Sequence, residues 1–278
     1  MNKLEKIIVI TYQIVGENKY LMDALLRIKQ QGITKVIVNL KDEIGSLANK
    51  KTGDIILGIK DIIPVYSLTK HYSQIIYQKP KFIIEKKYSD FNDGCNIRDY
   101  IDVQCSSPER NMVLERLDST DFLEEEVLSL YDIITVFSLL YSLAHEVGHI
   151  IYDDESKSQI CSEKEADSFA FNSIKLMKKN EAIDIPRFLG AFLGIAHVFI
   201  GRTQKEEIDD INHPHSIERI YALLDSLELE ENSMFWGLAY NMVLKWHQKY
   251  GMPIDWENPL SHTYKDKMVD AFNYYKKV

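Results

Sequence analysis

Five consecutive residues, His145-Glu146-Val147-Gly148-His149, hold the side chains needed to bind a divalent metal and work beside it. In a helix, residues i and i+4 lie one turn apart on the same face, so His145 and His149 can offer two imidazoles to one Zn²⁺. Glu146 follows the first histidine and can reach water on the open side of the metal, where a carboxylate acts as general base. Gly148 leaves no side chain at a crowded point, where another backbone or a substrate approaches. With eight histidines and twenty-one glutamates in 278 residues, random placement yields about 0.02 such matches per chain. An accidental motif on an apolar helix is therefore a poor competitor, and burying unpaired imidazoles there would be costly.

A catalytic zinc needs a third protein ligand and one free position. Fourteen residues after His149 comes Glu163-Lys164-Glu165-Ala166-Asp167, opening a helical run. Glu163 and Asp167 are again i and i+4. Glu163 is assigned as the third ligand, and Asp167, one turn on, can accept the free N–H of a metal-binding histidine and fix its tautomer. Glu165 is the rival ligand. It lies about 200° around the helix from both, and Ser162-Glu163-Lys164-Glu165 has the form of a capping box that would tie it to the helix start. The plain alternative is an acidic helix N-terminus favoured by the macrodipole.

These residues must be positioned by a scaffold, and the chain reads as two parts. Residues 6–15 are rich in Ile and Val, residues 16–18 form a turn cluster, residues 20–30 carry apolar residues at helical spacing and residues 36–40 are β-branched again. This pattern predicts a strand, helix, strand unit. Short Ile/Val/Tyr runs between residues 54 and 85, broken by Gly58, Pro64 and Pro80, predict further strands. No glycine-rich phosphate loop interrupts them. A connection is placed at about residues 90–120, and beyond it the pattern is helical. Glu124, Glu125 and Glu126 would occupy the first turn of a long apolar helix running to about Ile151, where the dipole favours carboxylates. Further helices are expected at about 162–180, 186–201, 216–229, 234–250 and 262–276. The expected class is α+β, with an α/β region over 1–100 and a mainly helical domain over 101–278.

HExxH followed by ExxxD on a second helix resembles the gluzincin zinc metallopeptidases, in which glutamate is the third ligand. The form HEVGH with EKEADSFA looks like the soluble catalytic domains of the CAAX prenyl protease and heat-shock membrane protease group. It is also similar to the ImmA/IrrE peptidases and to the Lit-type phage-exclusion peptidases. Residues 213–220, HPHSIERI, fit the pattern HPxxxxRI that lies downstream of the glutamate helix in the CAAX-protease-like group. The resemblance, which covers about residues 125–225, implies that His213 and Arg219 sit at the active site, where either could donate a hydrogen bond to the oxyanion. His-Pro is equally a good stop before a helix, and Arg219 would equally suit a helix surface. The implied activity is zinc-dependent endopeptidase action on a protein or peptide substrate, with residues 100–106 as the guessed edge strand that pairs with an extended substrate. The alternative is a regulatory metal-binding sensor or partner-binding domain without turnover.

Composition narrows the partners. With 33 Lys+Arg against 42 Asp+Glu, the formal charge is −9, which argues against nucleic acid or an anionic membrane surface held by bulk positive charge. Two apolar stretches, residues 127–144 and 188–201, are interrupted by polar residues or too short for a span and are expected to be buried helices. Cys95, Cys105 and Cys161 form no CxxC pair, and no signal peptide is read at the start, so a cytoplasmic home is expected.

Overall fold

Residues 3–17, expected to contain a strand, form the helix α1 (Lys3–Glu17). Ile7, Ile8, Val9, Ile10, Thr11, Tyr12, Ile14 and Val15 are all buried. A helix apolar on every side shows no 3.6-residue stripe, so its sequence cannot be told from a buried strand by periodicity. In the computed structural model, residues 3–41, 46–58, 83–84, 101–105, 128–152, 156–177, 181–201, 216–249 and 260–276 are described. The fold is α+β and mainly helical.

Asn18 ends α1 and starts α2 (Lys19–Gln30). Its side-chain oxygen accepts the Leu21 N–H at 3.1 Å, satisfying one of the helix's free donors. Four strands follow in one sheet: β1 (Val36–Lys41), β2 (Leu47–Asn49), β3 (Asp54–Gly58) and β5 (Ile101–Cys105), in the order β2-β3-β1-β5. β1 runs parallel to β3 and β5, with Val38 opposite Ile55 and Val103, whereas β2 is antiparallel to β3. The turn into β3 uses Gly53 at φ 77°, where a side chain would also run into Ile33. A separate pair joins β4 (Ile83–Ile84) to β6 (Leu128–Ser129).

β6 leads directly into α3 (Leu130–Ile151), the helix of the HEVGH motif, which therefore begins later than expected. Its acidic first-turn residue is Asp132, and residues 124–126 lie outside the described residues. By length and composition alone α3 could cross a membrane, but most of it is buried inside the fold. α1, α2, β2 and β3 pack on it, as does α4 (Gln159–Lys175), the helix of Glu163. The substrate-strand guess is corrected in part. Residues 101–105 do form an edge strand, yet β2, at the opposite edge, is the edge strand packed against α3.

α5 (Glu181–Gly201) crosses α3 closely at Gly190, where an added Cβ would stand 2.5 Å from the Ile134 carbonyl oxygen. Arg187, 2% exposed, donates to the carbonyls of Met177 at 3.2 Å and Ile174 at 3.4 Å and pairs with Asp184. A cation on the last carbonyls of α4 satisfies groups the helix leaves open and complements its dipole. Burial pulls the Arg187 pKa down while Asp184 pushes it up, leaving it lowered.

The chain divides into two compact units, Met1–Gly194 and Ile195–Val278, and the residue-100 boundary read from the sequence falls inside the first. In the second, α6 (Ser216–Ser226), α7 (Met234–Lys249) and α8 (Tyr264–Lys276) bury Ile217, Ile220, Leu224, Trp236, Val243 and Met268. Tyr221 stacks on Phe272 with ring centroids 5.1 Å apart, joining α6 to α8.

Candidate metal centre

The centre is built from two helices that touch backbone to backbone. A Cβ added at Gly148 would lie 2.9 Å from the Ala166 Cα and 3.3 Å from its carbonyl oxygen, so only glycine lets α3 and α4 come this near. Val147 and Ile150 are buried in the core. This fixes the rotation of α3, with His145 and His149 side by side on another face. Their rings meet edge to face at 4.6 Å.

Across the contact, Glu163 offers both carboxylate oxygens. Oε2 is 3.4 Å from His145 Nε2 and Oε1 is 3.2 Å from His149 Nε2, while the two Nε2 atoms are 3.1 Å apart. Four ligands about 2.0–2.1 Å from a zinc at tetrahedral angles stand about 3.3–3.4 Å from one another, and the contacts here, made through both oxygens of Glu163, fall near that range. His145 and Glu163 are buried, at 8% and 6% exposure, and among the described residues these three form the cluster able to hold a metal ion. Burial pushes the Glu163 carboxyl up, but the two facing imidazoles outweigh it and hold it well below the usual carboxylate range.

The other nitrogens of both rings face α4. His145 Nδ1 lies 2.9 Å from Asp167 Oδ1, as the spacing of Glu163 and Asp167 predicts. His149 Nδ1 lies 3.3 Å from the Ser162 hydroxyl. Ser162 is thus not the helix cap expected of it. Ser158 takes that place, accepting the Cys161 N–H at 3.3 Å, because α4 begins earlier than the capping-box reading supposed. Glu165, the rival ligand, points elsewhere and binds Lys157 Nζ at 2.7 and 2.9 Å. Glu146, next to His145, is 5% exposed.

Tyr141 escaped the sequence reading. It lies one turn before His145, its ring stacks along the imidazole at 6.5 Å, and its hydroxyl donates to Asp167 Oδ1 at 2.9 Å. The signal existed: 141, 145 and 149 share the i+4 spacing that picked out the histidines. Of the two downstream candidates, Arg219 is on α6, partly buried, within the second compact unit. His213 lies outside the described residues.

The sequence model of the Peptidase U49 family matches residues 101–239, half of the chain, spanning both motif helices. Comparison with the curated proteins and with the solved structures gives no match.

Proposed function

The chain belongs to the Peptidase U49 family, and on that footing we propose that it is a gluzincin-like, zinc-dependent endopeptidase. The observation that carries the metal is the convergence of His145, His149 and Glu163, whose nitrogens and carboxylate oxygens approach within 3.1 to 3.4 Å. Two imidazoles and one carboxylate leave a fourth position free, the arrangement of hydrolytic rather than structural zinc. Bound there, Zn²⁺ would supply a Lewis acid that polarises the scissile carbonyl and lowers the pKa of water toward about 7.

The remaining work falls to the protein's own side chains. Glu146 accepts the proton of the attacking water and returns it to the leaving amine as the C–N bond breaks. The intact Glu146 favours turnover over a sensor without activity, which has no need of a base. Asp167 and Ser162 hold the two imidazoles in the tautomer that presents Nε2 to the metal. Arg219 or His213 would donate to the oxyanion, a role supported by the HPxxxxRI pattern. For an extended protein or peptide substrate the supported edge is β2, beside the motif helix, which offers backbone pairing. A reducing, cytoplasmic setting suits the free thiol of Cys161.

Elemental analysis of the purified protein tests the reading. About one zinc per chain is expected, lost in His149→Ala and in Glu163→Ala. A folded, metal-reconstituted wild type without zinc would overturn it. Glu146→Gln should keep the zinc and lose peptide-bond cleavage.

A further inference from the structure

One oxygen of Asp167 serves two groups. Oδ1 stands 2.9 Å from His145 Nδ1 and accepts the Tyr141 hydroxyl at 2.9 Å. With Oδ1 held by a phenol, the rotation of the carboxylate is set, close against the imidazole. Without that anchor, a carboxylate on two freely rotating bonds has other wells to occupy.

The phenol is itself held. Tyr141 is 2% exposed on the motif helix, its ring lies along the His145 ring at an interplanar angle of 22°, and Gly194 of α5 packs close to it. A Cβ added at Gly194 would stand 3.2 Å from the Tyr141 ring, so no bulkier residue could sit there without moving it. Tyr141, Asp167 and His145 thus close a ring of contacts across α3 and α4. Among the described residues, His149 has the Ser162 hydroxyl at 3.3 Å in the matching place and not a carboxylate. The two histidines are backed unequally, and His145 carries the stiffer support.

We propose that Tyr141 is a positioning residue of the metal centre: through Asp167 it fixes the orientation and tautomer of His145 and so sets the affinity for zinc. This rests on the reading of His145, His149 and Glu163 as a zinc site. Groups that orient metal ligands typically contribute 10- to 100-fold in affinity, and one contact further out should lie near the lower end.

The test is a double-mutant cycle on the full chain, with the zinc dissociation constant measured by competition with a chromophoric chelator. Tyr141→Phe removes only the hydroxyl and keeps the ring stacked on His145. Its dissociation constant should rise about tenfold, with circular dichroism unchanged. Asp167→Asn should raise it more. The double variant should bind zinc no more weakly than Asp167→Asn alone, since the hydroxyl acts only through that carboxylate. The visible spectrum of the Co²⁺-loaded protein should change in Tyr141→Phe as well, a readout independent of activity. Unchanged zinc affinity in Tyr141→Phe, or losses that simply add in the double variant, would overturn the proposal while leaving the zinc site standing. A wild type that binds no zinc would instead bring down the metal-site reading on which it depends.

Discussion

Two glutamates two positions apart, Glu163 and Glu165, meet different surroundings. Glu163 is buried against both imidazoles, while Glu165 pairs with Lys157 with both side chains about a third exposed. Exposed pairs contribute about 0–1 kcal/mol. Glu165→Gln should therefore leave zinc content intact and shift the denaturation midpoint only slightly. Glu163→Asp keeps the charge but withdraws the carboxylate by one methylene from nitrogens now 3.2 and 3.4 Å away. Zinc affinity should fall at least tenfold by the same chelator competition, and equal affinity in the two variants would refute the assignment. This choice was legible in the sequence because His145, His149, Glu163 and Asp167 all lie on helices whose 3.6-residue period sets which side chains share a face. Ser162 was misread because cap and interior positions differ by a shift of helix start that short-range patterns do not resolve.

At the scale of elements, the approach of α3 and α4 decides whether His145, His149 and Glu163 meet. Gly148→Ala sets helix propensity against packing. Alanine gains about 1 kcal/mol over glycine in a helix, but here its Cβ would strike the Ala166 backbone at 2.9 Å, and overpacking costs about 1–3 kcal/mol. Backbone cannot rotate aside as a side chain can, so the cost should win. Chemical denaturation should show a net loss of up to about 2 kcal/mol, with weaker zinc binding as His145 and His149 draw away from Glu163. A more stable variant would show that the contact is looser than described. α1 was the element the sequence concealed. Its eight buried residues within nine positions, from Ile7 to Val15, erase the polar face by which an amphipathic helix is recognised. The sheet order was equally hidden, since pairing partners such as Val38 and Val103 are far apart in the chain and short apolar strands carry no mark of their neighbour. Residues 101–105 could be read as a strand but not as the edge away from β2.

For the whole molecule, the proposed zinc binding would share one equilibrium with folding. A ligand that binds only the folded state at a concentration 100 times its dissociation constant stabilises by about 2.7 kcal/mol. Added zinc should raise the melting temperature of the wild type and leave that of His149→Ala unmoved, whereas a chelator should lower the first to meet the second. Equal shifts in both proteins would place the effect at some other site. Much of this coupling is already arranged by cross-links outside the centre: the Asn18 amide donates to the Ser173 carbonyl at 2.6 Å, tying the α1–α2 junction to α4, and Arg187 grips the far end of the same helix. The chain between the helices has a consequence of its own. His149 and Glu163 are separated by fourteen residues, so the carboxylate is tethered beside the imidazoles at an effective concentration of order millimolar or more. One backbone cut between α3 and α4 would turn this tethered ligand into a diffusing one, and zinc retention would then fall as the protein is diluted.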